Sequence, residues 1–79
     1  MISKVSIEYC VPCQFEKDAQ NLANILKEQF GLVEENIELL PSKKIGTFEV
    51  VADGELIYSK IKHGRLPFPE EIIDLILSL

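Results

Sequence analysis

The chain has little of what most enzymes rely on. Among its 79 residues there is one histidine, His63, and there are two cysteines. No other nucleophile–base set competes with the cysteines, since that histidine lies some fifty residues away, and chemistry carried by very few side chains is expected. A chain of this length buries only about 60–65% of its unfolded surface, which excludes a large enclosed pocket. Long apolar runs are missing too: the longest is three residues, against about 20 for a membrane span, so no membrane association is expected. Met1–Tyr9 lacks the apolar stretch of a secretory signal, and the expected location is cytoplasmic. Positive charge is scarce, with 8 Lys and Arg against 13 Asp and Glu and a net charge of −5. No basic stripe exists to displace counterions from a phosphate backbone, so nucleic acid is not an expected partner. Repeats, low-complexity tracts and linkers are absent, and a single domain over 1–79 is expected.

What is present is a close cysteine pair, Cys10-Val11-Pro12-Cys13. About one random placement in forty puts two cysteines at this spacing in a chain of this length. A permanent brace is a poor use of it, because closing so short a loop stabilises by about 2 kcal/mol at most. A reducing compartment would not keep such a bond closed in any case. The pair is better suited to reacting than to bracing.

The surrounding pattern places it. Ser3–Tyr9 alternates, with Val5, Ile7 and Tyr9 on one face, and reads as a strand packed on one side. From Gln14 to Phe30 the period becomes helical, with Phe15, Ala19, Leu22, Ala23, Leu26 and Phe30 forming a stripe. Pro12 suits the first helical position and Gly31 the residue after the last. Asn36–Leu40 reads as a second strand, parallel to the first through the helical crossover. Pro41–Ile45 is too short for another helix. Thr47–Ala52 and Glu55–Ile61 flank Asp53-Gly54, a strong hairpin signal. With that dipeptide as the loop, Val50 faces Ile57 and Phe48 faces Ser59. Phe48, Val50, Ala52, Ile57 and Ile61 would then point to the core. Val51, Leu56 and Tyr58 would form a small apolar patch on the open side of the sheet. Residues 63–68 read as loop and Pro69 opens a last helix, apolar almost all round, which must be deeply packed or meet a partner. The expected fold is α/β (α+β): a β-α-β-β-β-α order, with two helices on one face of a four-stranded mixed sheet.

The cysteines therefore fall at a strand-to-helix corner. A thiol attacks as thiolate, and the unpaired N–H groups and dipole of a helix start favour that anion. One sulfur attacks a substrate disulfide and the other resolves the mixed disulfide. Redox chemistry at Cys10 and Cys13 is the leading expectation. His63, in a basic loop, reads as a solvated residue, and Lys43 and Lys44 as a solvated loop end able to steer an anionic thiol partner. Two alternatives stay open: a protein-interaction module using the Val51, Leu56 and Tyr58 patch or the last helix, and metal transfer through the same cysteines. No resident metal and no cofactor are expected, since a closed zinc site needs four ligands. The chain is similar in size and C-x-x-C placement to copper metallochaperones. It departs from them in carrying Glu8-Tyr9 before Cys10 and in ending on a helix.

The residues Ile7-Glu8-Tyr9-Cys10-Val11-Pro12-Cys13, Gly46-Thr47-Phe48-Glu49-Val50 and Asp53-Gly54-Glu55-Leu56-Ile57-Tyr58-Ser59-Lys60 resemble those of the selenoprotein W-like (Rdx) family. The resemblance runs through nearly the whole chain. It implies a thioredoxin-like fold shortened by its middle helix. It also implies a thiol redox protein linked to protein thiols or disulfides and to glutathione, with weak self-association as a further option. Cys10 and Cys13 become the redox pair, with Val11, Pro12, Gly46 and Thr47 as the motif and its adjacent loop. The family's selenocysteine position falls at Cys13, whereas ordinary thioredoxins attack with the first cysteine. A helix start at the motif tilts the reading narrowly to Cys10. No proline stands immediately before Thr47, where a full thioredoxin carries its cis-proline; Gly46 stands there instead.

Overall fold

Burial alternates from Val5 onward. In the computed structural model, which describes residues 2–79, strand β1 (Val5–Cys10) turns Val5, Ile7 and Tyr9 into the core. The first helix, α1 (Glu16–Phe30), buries Ala19, Leu22, Ala23 and Leu26. It stops at Gly31, whose left-handed conformation (φ 65°) lets its N–H reach the Lys27 carbonyl. Strand β2 (Ile37–Ser42) pairs parallel to β1, and β3 (Phe48–Ala52) pairs antiparallel on the other side. Strand β4 (Glu55–Ser59) completes the order β2-β1-β3-β4. A short helix, α2 (Lys60–His63), follows, and α3 (Pro69–Leu77) closes the described chain. Helices α1 and α3 touch one another, and with Ile72 and Ile76 they cover one face of the mixed four-stranded sheet.

The structure moves three boundaries. The helix begins at Glu16, not at the cysteine motif, because Val11–Gln14 forms a turn closed by the Gln14 N–H on the Val11 carbonyl at 2.9 Å. Gln14 has φ +63°, outside helical space, so the helix cannot propagate back through it and Pro12 is a turn residue. Strand β2 continues through Pro41 to Ser42; it is an edge strand, where a missing N–H is tolerated. Strand β4 ends at Ser59, and Ile61 lies exposed on α2.

The hairpin turn is as expected, with φ 50° at Asp53 and 84° at Gly54, but its register is not. Ala52 pairs with Glu55 and Val51 with Leu56; then a bulge intervenes, and Val50 pairs with Tyr58 and Glu49 with Ser59. The extra residue, Ile57, shifts the phase by one. Tyr58 is therefore 1% exposed, inside the core. The physical gain is clear: the largest ring on the strand leaves water, and its hydroxyl donates to the Arg65 carbonyl at 2.5 Å. Burial pushes the Tyr58 phenol above its ordinary range.

Candidate functional site

The corner is built by strand ends converging on the cysteines. The Cys10 N–H donates to the Thr47 carbonyl at 2.8 Å and the Val11 N–H to the Ser42 carbonyl at 2.9 Å, tying the motif to β3 and β2. On the helix side the Phe15 N–H donates to the Cys10 carbonyl at 3.3 Å. The Phe15 ring meets Phe48 edge-on at 6.2 Å between centroids. Phe15 thus pins the start of α1 to the sheet.

Within this frame Cys10 and Cys13 are joined as a disulfide across a Cα–Cα distance of 5.3 Å. The Cys13 N–H points at Cys10 Sγ at 3.2 Å, and the Gly46 N–H at Cys13 Sγ at 3.3 Å. Gly46 reaches this position with φ +84°, a conformation that costs glycine little and other residues much. The two cysteines differ in exposure: Cys10 is fully buried and Cys13 only partly. Val11 and Pro12 project into solvent beside them.

The end of the sheet that holds the disulfide is also where the cations gather. Lys43 and Lys44 lie between β2 and Gly46, and Lys60 and Lys62 follow β4 at the end next to Phe48. The Lys60 ammonium stands 5.7 Å from the Phe15 ring centroid. Ile45, 71% exposed, and Ile61, 58% exposed, stand among these lysines.

Of the residues anticipated from the sequence, the structure brings together Cys10, Val11, Pro12, Cys13, Gly46 and Thr47. It does not assemble the Val51, Leu56 and Tyr58 patch. Leu56 is exposed and Val51 half-buried on the open face, while Tyr58 faces the helices because of the bulge. His63 is exposed, at the end of α2 where a loop was expected, and its ring stacks on that of Tyr58 with centroids 4.6 Å apart. Phe15, Lys60 and Ile45 were not anticipated as parts of the site. For Ile45 a signal existed: one apolar residue alone between Lys44 and Gly46.

The model of the Rdx family matches residues 4–78. The chain belongs to the Rdx family. As an Rdx protein it is 34% identical over 73 residues to migration and invasion enhancer 1 of Bos taurus, and 32% over 72 residues to that of Mus musculus. Those alignments cover 92% and 91% of the Rdx chain described here, which spans only 61% and 60% of the relatives' own lengths. Its fold superposes on a Bordetella parapertussis protein of known crystal structure with a TM-score of 0.87 at 22% identity, covering 99% of this chain and 98% of that one. A selenoprotein W-related protein from Vibrio cholerae gives 0.86 at 23% identity, covering 95% and 92%. The Rdx chain thus has the thioredoxin-like fold of the selenoprotein W group, with a close cysteine pair at its strand-to-helix corner.

Proposed function

We propose that this Rdx protein is a thiol–disulfide redox protein in which Cys13 exchanges with a partner's sulfur and Cys10 resolves the exchange. The observation that carries the reading is the unequal burial of the paired cysteines, Cys13 partly exposed and Cys10 fully buried. The sequence tilted narrowly to Cys10 as attacker on the strength of a helix start at the motif. That start lies at Glu16, beyond the turn that holds both cysteines, so the ground for preferring Cys10 falls away and unequal exposure supports Cys13.

The chemistry balances without a cofactor. The reduced Cys13 thiolate attacks a partner disulfide, forming a mixed disulfide and releasing one partner thiolate. The Cys10 thiolate then attacks Cys13 Sγ, closing the internal disulfide and releasing the second partner thiolate. Two electrons pass to the partner, and the reverse sequence takes them back. The direction follows the potentials of the two couples. The partners we propose are protein thiols and disulfides and glutathione. Anionic ones are favoured by Lys43, Lys44, Lys60 and Lys62 around the corner of a chain that otherwise carries net negative charge.

The test is a redox titration in defined glutathione buffers, read by alkylation and intact mass. The expected result is a reversible step in which two alkyl groups are gained together, with a midpoint between about −150 and −300 mV. Cys10→Ser should accumulate a mixed disulfide with its partner, and Cys13→Ser should not. Thiols that stay reduced throughout the titration would overturn the redox reading. Trapping by Cys13→Ser alone would reverse the assignment of roles.

A further inference from the structure

Thr47 is 2% exposed, and its hydroxyl is the one buried side-chain oxygen or nitrogen without a hydrogen-bond partner among the described residues. A buried hydroxyl left unpaired is costly and calls for an explanation. Its position supplies one. The last paired residues of the β1–β3 ladder are Tyr9 and Phe48, both turned toward the helices. The bond from the Cys10 N–H to the Thr47 carbonyl extends that ladder by one step, so Thr47 stands directly across from Cys10. The pleat sends both side chains to the opposite face from Tyr9 and Phe48. Directly opposed residues have Cβ atoms about 5 Å apart, within reach of a hydroxyl and a thiolate.

In the disulfide, Cys10 Sγ is a weak acceptor and already receives the Cys13 N–H. When the bond opens, Cys10 becomes a buried sulfur that must carry negative charge. Surrounding charges do not all favour it. Glu8 on β1 and Glu49 on β3 share its face, and Glu16 and Asp18 occupy the first turn of α1. Lys43 and Lys44 follow β2, and Lys60 and Lys62 follow β4. Ser42, across from Cys10 on β2, accepts the Lys44 N–H at 3.1 Å and is half-buried, unlike Thr47, although its own O–H remains a donor.

We infer that the Thr47 hydroxyl is held unpaired in the oxidised protein so that it can donate to the Cys10 thiolate when the disulfide opens. The step rests on the exchange at Cys13 proposed above. An incoming thiolate bonds to Cys13 Sγ and the Cys10–Cys13 bond breaks. The electron pair stays on Cys10 Sγ, which already faces the Cys13 N–H and toward which the Thr47 hydroxyl, across the ladder, would turn, and no proton is transferred.

The experiment compares wild type with Thr47→Val, Thr47→Ala and Thr47→Ser. In a Cys13→Ser background, Thr47→Val and Thr47→Ala should raise the Cys10 thiol pKa by about one unit, a tenfold loss of thiolate below the pKa, as read by ultraviolet thiolate absorbance. Opening of the wild-type-background disulfide by 2-mercaptoethanol should slow by roughly 3–10-fold, since a poorer leaving thiol departs more slowly. Thr47→Ser should restore both values. Alanine and serine keep the question open to test if valine does not fold. A Cys10 pKa and opening rate unchanged in both hydroxyl-free variants would overturn the inference while leaving the redox reading intact. A wild-type chain that forms no disulfide in the glutathione titration would overturn both.

Discussion

Single residues hold the turns of this small protein. Asp53 does so twice: it takes a left-handed conformation in the hairpin, and its Oδ1 accepts the N–H groups of Ser3 at 2.8 Å and Lys4 at 2.9 Å. Those bonds hold its carboxyl below the usual carboxylate range. The depressed folded value means the stabilisation is fully present above the unfolded pKa, about 4, and is lost as pH falls through the folded one. Glu71, held down by its paired bonds to Arg65, loses its contribution in the same direction. Urea midpoints should therefore fall from pH 6 to pH 3 in the wild type. Asp53→Asn keeps a carbonyl acceptor and the turn preference, so its midpoints should fall less over that range. Tyr58→Phe removes the bond to the Arg65 carbonyl and should cost about 1 kcal/mol in chemical denaturation.

Among the elements, the hairpin and the α1 corner carry the information that sequence periodicity misses. Nothing local marks Ile57 as an extra residue. The bulge exists because the core accepts a Tyr58 ring and α3 brings the Arg65 carbonyl's loop beside it. The β1–β3 register places Glu8 directly opposite Glu49 on the open face, and the bulged hairpin brings the Ser59 hydroxyl to donate to Glu49 at 3.1 Å. Like charges opposed across an antiparallel pair are destabilising. Glu8→Gln should therefore stabilise the protein by about 0.2–1 kcal/mol, read as a higher urea midpoint at low salt. An unchanged midpoint would mean that solvent already screens the pair. At the start of α1, the strand and helix periods were both readable, but the four-residue turn between them was not. Its extent depends on Gln14 taking a left-handed conformation and on Phe15 packing against Phe48, a contact 33 residues away in the chain.

For the whole molecule, the uneven distribution of charge is the property that bears on partners. The net charge is −5, yet four of the eight cationic side chains, Lys43, Lys44, Lys60 and Lys62, are carried by the segments at the disulfide end. The double variant Lys43→Glu, Lys44→Glu should slow exchange with glutathione disulfide several-fold at low ionic strength. The difference should shrink near 1 M salt, where screening acts within about 3 Å. Exchange with a neutral disulfide should change little. Equal slowing with both substrates would point instead to damage at the Gly46 loop.

Legible in the amino-acid order alone are the alternating first strand, the stripe of α1, the Asp53-Gly54 turn, the helix opened by Pro69 and the nearness of Cys10 to Cys13. Each is a short-range consequence of side-chain period, turn chemistry or a three-residue spacing. Which cysteine is the more exposed, where α1 begins, which way Tyr58 faces, and that Thr47 stands across from Cys10 with its hydroxyl unpaired are set by the folded arrangement. These depend on strand register and on which segments cover which faces. The free energies that set them arise between residues distant in the chain, where no local pattern records them.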